Sequence, residues 1–351
     1  MIHGSELIEY WIDKPNYHAK HKNPYFLAEM VLAMKTMRPF KASKFLHPRY
    51  WLLWLGLGIM RLVALLPYRV QMALGSGLGW FFYKFAPERR TFAEINLKMC
   101  FPELTEQARQ QLLRDHFDAL GKGMIETAIA WWTPASRLKK LHSIKGLEHL
   151  DTALEKGKGV ILLGAHFTTL EIGTRLLALH RSYTAMYRQH NNPLFDAIMR
   201  KRRESYFEAT HERRDVRGTL RSLKNNKAVW YAADQDYGRK HSVFAPFFGV
   251  PAALITATAR LAKLSGAPVV PFFQSRREDG SGYDLHLLPP LENFPCGDDV
   301  ADATATNHVI EEEIRQQPAQ YLWVHRRFKT QPEGMKRPYP GRKRRVRRKR
   351  S

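Results

Sequence analysis

The sequence has little or nothing of several features that define common classes of protein. Two cysteines in 351 residues, Cys100 and Cys296, are too few for a disulfide framework and fit a reducing compartment. There is no G-x-S-x-G elbow, no Walker A loop and no complete Rossmann fingerprint. Neither cysteine is flanked by a histidine-rich motif. A covalent serine or cysteine nucleophile is therefore not supported.

Acidic residues are also scarce relative to basic ones. The chain has 33 Asp and Glu against 56 Lys and Arg, which gives a formal charge of +23. Residues 342–350 hold eight of the positive charges, so the remainder still carries +15. Such a chain favours an anionic partner: nucleic acid, an anionic membrane surface, or a phosphorylated or carboxylated substrate. Because the basic runs form no recognisable DNA- or RNA-binding module, nucleic acid is not the predicted partner.

The N-terminus has no secretory signal, because residues 1–45 lack an apolar h-region followed by a small-residue cleavage site. We therefore expect the mature protein to start near Met1. Residues 1–45 are interpreted as an appendage, residues 46–90 as a membrane-associated hydrophobic segment, 91–335 as the catalytic domain and 336–351 as a basic tail.

The hydrophobic segment contains no uninterrupted run of the roughly 20 apolar residues that a spanning helix needs. The run from Trp51 to Tyr68 is slightly short and is interrupted by Arg61, and a second charge-free run covers Val70 to Tyr83. Two buried core helices are one interpretation. The other is a membrane helix or a monotopic interfacial hairpin. Cations flank the segment on both sides, so the positive-inside rule gives no orientation.

From Lys158 onward, apolar strand-like runs alternate with amphipathic helices. This alternation predicts an α/β fold with a mainly parallel or mixed sheet and helices on both faces. The predicted strands are Gly159–Ala165, Tyr183–Arg188, Ala228–Asp234, Ala267–Ser275, Tyr283–Leu291 and Gln320–His325. The predicted helices are Thr168–His180, Pro193–Tyr206, Val216–Asn225, Leu254–Leu264 and Thr304–Gln316.

The first of these strands ends in the most informative stretch, Gly159-Val-Ile-Leu-Leu-Gly-Ala-His166-Phe-Thr-Thr-Leu-Glu171. In open α/β sheets ligands bind outside the carboxyl ends of the strands. A neutral histidine there can take a proton from an alcohol, and a carboxylate can orient it. Glu171 is one candidate for that carboxylate. Thr168-Thr-Leu-Glu171 is equally a capping box, and the two roles are not exclusive. No nearby residues complete a metal site.

Other predicted strand ends carry further candidates for the same edge. Arg188 can bind phosphate there, although a surface salt bridge is an alternative. Asp236, in Asp234-Gln-Asp236, can orient a polar acceptor or simply belong to a turn. Arg326 and Arg327 follow the last predicted strand and would add cations near an anionic ligand. The aromatic loop of residues 242–251 is interpreted as core or as the wall of an acyl-chain site.

Several of these motifs together resemble the late acyltransferases of lipid A biosynthesis, over about residues 46–334. The matching motifs are Gly164-Ala-His166-Phe-Thr-Thr-Leu-Glu171-Ile-Gly, Tyr187-Arg188 with Asn192-Pro193, Val229-Trp-Tyr-Ala-Ala-Asp234-Gln-Asp236-Tyr-Gly238, and Tyr321-Leu-Trp-Val-His325-Arg-Arg-Phe-Lys-Thr330. The resemblance implies a fold like that of the glycerolipid acyltransferases. Those enzymes usually have Asn-His with a later Asp, so Ala165 and Glu171 favour the lipid A branch.

The resemblance also implies a reaction and a location. It implies an enzyme of the bacterial inner membrane, with its active site at the cytoplasmic face, that needs no cofactor and no metal. The donor would be acyl carrier protein, and the acceptor the 3-hydroxyl of an acyl chain on Kdo2-lipid IV(A). His166 and Glu171 map onto the family's catalytic dyad, and Arg188 and Asp236 onto supporting positions.

Several alternatives stay open at this stage. Lauroyl is the expected acyl group, with myristoyl and palmitoleoyl as alternatives in the same pathway. A glycerophospholipid acyltransferase and a non-catalytic protein that binds anionic lipid or RNA are the other interpretations.

Overall fold

A computed structural model describes residues 41–240 and 242–340 of the chain. The predictions for the N-terminal appendage and the basic tail fall almost entirely outside these residues. The α-helices are α1 Trp51–Val63, α2 Tyr68–Phe85, α3 Pro87–Cys100, α4 Glu106–Trp132, α5 Ala135–Leu138, α6 Leu147–Glu155, α7 Leu170–Leu177, α8 Pro193–Glu204, α9 Val216–Lys224, α10 Ala257–Ser265 and α11 Asp299–Gln316. The strands are β1 His142–Lys145, β2 Val160–Gly164, β3 Thr184–Tyr187, β4 Ala209–Glu212, β5 Ala228–Ala232, β6 Ser242–Phe247, β7 Val250–Ile255, β8 Val269–Arg276 and β9 Tyr283–Leu287.

Seven strands form one sheet in the order β1-β9-β8-β2-β5-β3-β4. All neighbouring pairs are parallel except β8 and β9, which are antiparallel. The central strands β2 and β5 are buried along their whole length, as expected when helices cover both faces of a parallel sheet. The predicted mainly parallel or mixed α/β sheet is therefore confirmed.

Two of the predicted secondary-structure elements are wrong, one strand and the start of one helix. The segment Gln320–His325 is not a strand: Tyr321 makes one isolated antiparallel bridge to Phe167, and the chain turns at once, with the amide of Trp323 donating to the carbonyl of Tyr321. The start of the predicted helix Leu254–Leu264 belongs instead to a hairpin of β6 and β7. Phe248 and Gly249 form its turn with φ of 51° and 72°, the left-handed backbone that tight hairpin turns use.

The hydrophobic segment of residues 46–90 contains two helices, α1 and α2, joined by a short turn, and the start of α3. No helix within residues 41–240 and 242–340 has the length and apolar character to cross a membrane. The 13 residues of α1 extend for about 20 Å, less than the roughly 30 Å of a hydrocarbon core. The expectation of a spanning helix is therefore not met by these residues.

The helix α2 packs closely against α4 through glycines. A Cβ atom on Gly121 would lie 2.2 Å from both the carbonyl oxygen of Gly75 and the amide nitrogen of Gly79. A side chain at Gly121 would therefore collide with the backbone of α2, so this close approach of the two helices requires glycine. The contact attaches the N-terminal helices to α4.

In turn, α4 is attached to the sheet by a buried ion pair. Arg276, the last residue of β8, donates from Nε and Nη2 to the carboxylate of Glu126 at 2.5 and 2.8 Å. The Glu126 and Arg276 side chains are 0% and 7% exposed. Buried charges need such pairing, and this pair fixes the C-terminal part of α4, including Trp131, over the sheet.

Both N-terminal helices also expose large apolar side chains. On α1 these recur at helical spacing, so they share one face, and on α2 several are spaced four residues apart. Leu52 is 81% exposed and Leu62 65%. We call this set the exposed apolar face; its members are Trp51, Leu52, Leu55, Ile59, Leu62, Leu65, Val70, Leu74, Trp80, Phe81 and Phe85. Several large apolar side chains exposed on one helix face are typical of an interaction site.

Candidate active site

The register of two central strands brings His166 and Asp234 together. Gly164, the last residue of β2, is paired with Ala232, the last residue of β5. His166 and Asp234 each follow two residues later, so parallel strands deliver them side by side at the carboxyl edge of the sheet. They are 68 positions apart in sequence, and the intervening chain forms the crossovers that make β5 the neighbour of β2.

Asp234 holds the histidine by two hydrogen bonds. The Nδ1 atom of His166 lies 2.6 Å from Oδ1 of Asp234, and the backbone amide of His166 donates to Oδ2 at 3.0 Å. Asp234 is 2% exposed, whereas the His166 side chain is 23% exposed. No described residue hydrogen-bonds to Nε2 of His166. The ring is thus fixed on one side and accessible to a ligand on the other.

The surrounding charges keep Asp234 ionised. Burial by itself would raise its pKa, but His166, by charge and hydrogen bonds, and Arg327, by charge, hold the pKa well below its usual range. His325 lies beside His166 with ring centroids 5.6 Å apart. Burial, with the charge of His166, lowers the pKa of His325 to about 4. At neutral pH, Asp234 is therefore an anion next to a neutral second histidine.

The predicted contact between Glu171 and His166 is not formed. Glu171 lies in the first turn of α7, and its carboxylate accepts from Trp131 Nε1 at 2.7 Å, Tyr206 Oη at 3.0 Å and Arg203 Nε and Nη2 at 3.1 and 2.5 Å. We call these four residues the Glu171 cluster. The alternative capping box is not formed either, because α7 begins at Leu170 and has no side-chain cap.

Two residues of the site were not predicted in these roles. Asp234 is the partner of His166, and its sequence signal was its place two residues after a fully buried strand. Arg203, in the last turn of α8, is the ion-pair partner of Glu171. The run Lys201-Arg202-Arg203 gives no sign of which cation turns inward, because a charge run at a helix end is normally solvated.

Asp236 fastens a loop. Its Oδ1 accepts from the amide of Gly238 and the hydroxyl of Thr330, each at 2.8 Å, and its Oδ2 accepts from the amide of Thr330 at 2.7 Å. Lys329 Nζ donates to its carbonyl. Asp236 thus joins the loop after β5 to the C-terminal segment, and its predicted acceptor-orienting role stays a prediction.

The predicted arginines are placed in three different settings. Arg188 follows β3 and is exposed at the same sheet edge as His166. Arg326 lies over the ring of Phe92 at 5.4 Å. Arg327 is 3% exposed and donates to the carbonyl of Ala253 and to Asn307 Oδ1. Arg327 is therefore a buried cation that binds other parts of the fold, and its predicted role in ligand contact stays a prediction.

A metal centre is not part of this arrangement in the portion of the chain that the structure describes. There, no group of three or more His, Cys, Asp or Glu side chains is placed to hold an ion. The buried carboxylates of this region have other partners: Asp234 pairs with His166, Glu171 with Arg203, and Asp236 with the amides of Gly238 and Thr330.

A histidine held by a buried aspartate at the end of a central strand is an arrangement with which general-base enzymes, acyl-transferring ones among them, activate a hydroxyl group. Comparison with known proteins agrees with that class. The sequence model of the bacterial lipid A biosynthesis acyltransferase family matches residues 38–330. The chain therefore belongs to that family, and it is an acyltransferase of lipid A biosynthesis.

Individual relatives carry different acyl groups in their names. The chain is 41% identical over 301 residues to the lipid A biosynthesis lauroyltransferase of Escherichia coli K12, covering 86% of this chain and 98% of the relative. It is 42% identical over 294 residues to the palmitoleoyltransferase of the same organism, covering 84% and 96%. The myristoyltransferase is 29% identical over 299 residues, covering 85% and 93%. Family membership therefore leaves the acyl chain length open.

Proposed function

We propose that this enzyme transfers a fatty acyl group, lauroyl in the first instance, from acyl carrier protein to the 3-hydroxyl of an acyl chain on Kdo2-lipid IV(A). The observation that carries this proposal is the pairing of His166 with Asp234 at the carboxyl edge of the sheet. A base of this kind suits an alcohol acceptor at neutral pH.

In the proposed step, Asp234 accepts the Nδ1–H of His166 and so leaves the lone pair on Nε2. Nε2 takes the proton of the acceptor hydroxyl as its oxygen attacks the thioester carbonyl. The new C–O ester bond forms and the C–S bond breaks. The imidazolium then returns the proton to the departing thiolate of the carrier protein. Asp234 stabilises the imidazolium between these events.

Other residues of the edge support this step by position. Glu171 is proposed as a positioning residue that holds Arg203, Trp131 and Tyr206 in place next to the reaction centre. Arg188 is proposed to contact a phosphate or the Kdo carboxylate of the acceptor, because it is exposed at the same edge.

The substrate assignment predicts a clear choice between acceptors. We expect the purified full chain, given lauroyl-acyl carrier protein, to add one lauroyl group to Kdo2-lipid IV(A). We expect no product with lysophosphatidic acid, which is the acceptor a glycerophospholipid acyltransferase would use. Mass spectrometry of the lipid products gives the mass added. Mass spectrometry of lipid A from a deletion strain, with and without this chain, then gives the acyl length and position.

Two results would contradict the substrate assignment. Acylation of lysophosphatidic acid in preference to Kdo2-lipid IV(A) would support the glycerophospholipid alternative. Lipid binding without product from either acceptor would support the non-catalytic alternative.

We also propose that the exposed apolar face lies in the interface of an anionic membrane, as the location of a lipid acceptor requires. Interfacial helices insert an apolar face and attract anionic headgroups with nearby cations. Arg61, Arg69, Lys84, Arg89 and Arg90 lie on or beside α1 and α2.

This membrane proposal predicts that a charge on the exposed apolar face releases the protein from vesicles. A leucine inserted in the interface contributes roughly 1.5–3 kcal/mol. Leu52→Glu and Leu62→Glu are therefore each expected to lower the partition coefficient by about tenfold or more. Flotation with vesicles of phosphatidylglycerol and phosphatidylethanolamine measures it. Leu264→Glu on α10, at a position 60% exposed, is the matched control, and equal effects at all three positions would contradict the proposal.

A further inference from the structure

A cavity of about 240 Å³ lies next to the Glu171 cluster. Trp131 and Tyr206, which both donate to Glu171, line it. So does Leu65, which is 67% exposed and belongs to the exposed apolar face. The cavity therefore lies between the buried cluster and the surface that we place at the membrane.

Three arginines line this cavity, and none of its described lining residues is acidic. They come from different elements: Arg61 from α1, Arg175 from α7 and Arg202 from α8. Burial, and after it the charge of Arg61, lowers the pKa of Arg202. The positive charges of Arg61 and Arg202 therefore repel each other, and an anion between them would relieve that repulsion.

Aromatic rings hold two of these cations in place. The guanidinium of Arg202 lies 5.4 Å from the ring centroid of Trp132, and that of Arg175 lies 4.9 Å from the ring centroid of Tyr206. A guanidinium that stacks on a ring face keeps its N–H groups in the plane, where they can bind a second partner. For Arg202, no carboxylate within residues 41–240 and 242–340 is in ion-pair distance.

Thr133 adds an independent sign of a ligand. It lines the same cavity and is 6% exposed. Its Oγ1 is buried and has no hydrogen-bond partner among the described residues. Leaving such a buried hydroxyl unpaired is unfavourable. A ligand oxygen in the cavity would remove that cost.

We propose that this cavity, formed by Arg61, Thr133, Arg175 and Arg202, binds a phosphate group carried by a lipid. Guanidinium groups that line one small cavity can bind the oxygens of a phosphate. The volume lies below the roughly 300–1,000 Å³ of pockets for drug-sized ligands, so it suits a headgroup and not a whole lipid. Leu65 at the opening provides the continuation to apolar chains.

The source of the phosphate is either the sugar phosphate of the acceptor or the headgroup of a membrane phospholipid. The assignment to the acceptor rests on the proposed function, whereas the assignment to a membrane phospholipid does not. Equilibrium binding tests both assignments, and it requires no acyl transfer. A failure of the catalytic proposal would therefore show up separately, as missing product.

The test is isothermal titration of the full chain in non-ionic detergent micelles with four lipids. These are Kdo2-lipid IV(A), the same lipid lacking one sugar phosphate, phosphatidylglycerol, and monogalactosyldiacylglycerol as a phosphate-free lipid. Arg61→Gln and Arg202→Gln are each expected to raise the Kd of the phosphate-bearing ligand by on the order of tenfold or more, because a charge-assisted hydrogen bond is lost. Arg217→Gln, at an exposed arginine of α9, should bind as wild type.

The pattern of losses identifies the phosphate. If the arginine variants bind Kdo2-lipid IV(A) more weakly than wild type, but bind the lipid lacking one sugar phosphate equally well, the site is assigned to the acceptor. If the variants lose affinity for phosphatidylglycerol alone, the site is assigned to a phospholipid. Unchanged Kd values for all phosphate-bearing lipids, or an equal loss for monogalactosyldiacylglycerol, would overturn the proposal.

A second variant protects the test against misfolding. Thr133→Val keeps the shape of the side chain and removes only the unpaired hydroxyl, so Tm should not fall. The same phosphate-bearing lipid should nevertheless bind several-fold more weakly. Wild-type affinity for that lipid would count against the site.

Discussion

Asp234→Asn is expected to lower kcat for acyl transfer by on the order of 10²–10⁴-fold, as much as general-base catalysis contributes. Asp234 accepts two hydrogen bonds from His166, one from the backbone amide and one from Nδ1–H. An asparagine has only one acceptor atom to offer these two donors. If its carbonyl keeps the backbone amide, its NH2 group faces Nδ1 and the ring proton moves to Nε2. The base then has no lone pair where the acceptor hydroxyl binds.

Steady-state kinetics with both substrates saturating measure this effect. His166→Ala should lose at least as much, and the double variant should be no worse than His166→Ala alone, because the two residues act as a unit. His308→Ala, at an exposed histidine of α11, serves as the control. Turnover of Asp234→Asn within threefold of wild type would contradict the pairing as the catalytic base, as would additive losses in the double variant.

Local pattern was enough to locate this site but not to assemble it. The buried runs before His166 and Asp234 could be read as strands, and the carboxyl-edge rule placed both residues at one edge. Which strand lies beside which is a long-range property. The sheet order puts β5 next to β2, so the carboxylate partner arrived from 68 residues away and not from Glu171, five residues along the chain. Sequence spacing favours a near neighbour, whereas the register of a parallel sheet does not.

The positions of the cationic residues also depend on long-range contacts that local sequence does not reveal. Arg327 and Arg203 lie in basic runs that look solvated in sequence, yet one is buried against Phe247 and the other against Glu171. Their partners come from other elements. Arg188 is exposed at the predicted edge because it follows a strand directly. The segment after Gln320 resembled a strand by its apolar residues, but Tyr321 and Trp323 are core side chains of a turning segment.

The second large effect is expected on stability, from Glu171→Gln. The Glu171 and Arg203 side chains are 11% and 18% exposed and form a two-point ion pair. Removing the carboxylate charge leaves Arg203 without its counterion in a buried setting. Breaking one side of such a pair costs about 3–5 kcal/mol of unfolding free energy. Denaturant unfolding in detergent, followed by circular dichroism, measures the loss. Asp151→Asn, in a two-point pair with Arg181 whose side chains are 39% and 37% exposed, should cost no more than about 1 kcal/mol.

A double-mutant cycle separates a positioning role of Glu171 from a direct catalytic one. If Glu171 acts by holding Arg203, the variant with both Glu171→Gln and Arg203→Gln should be more stable than the sum of the single losses implies, because no buried charge is left unpaired. Full stability of Glu171→Gln together with abolished turnover would instead restore Glu171 as a direct partner in catalysis.

The dependence of this stability on pH has a definite sign. Burial opposes ionisation of Glu171, but the charge of Arg203 and the hydrogen bonds from Arg203, Trp131 and Tyr206 outweigh it and lower the pKa from 4.5. A carboxyl with a lowered pKa in the folded state stabilises it above the unfolded-state pKa and loses that contribution as pH falls toward the folded value. The stability difference between wild type and Glu171→Gln should therefore be full at pH 7 and shrink once the pH drops below 4.5. A difference that stays constant down to pH 3 would mean that the ion pair is not its source.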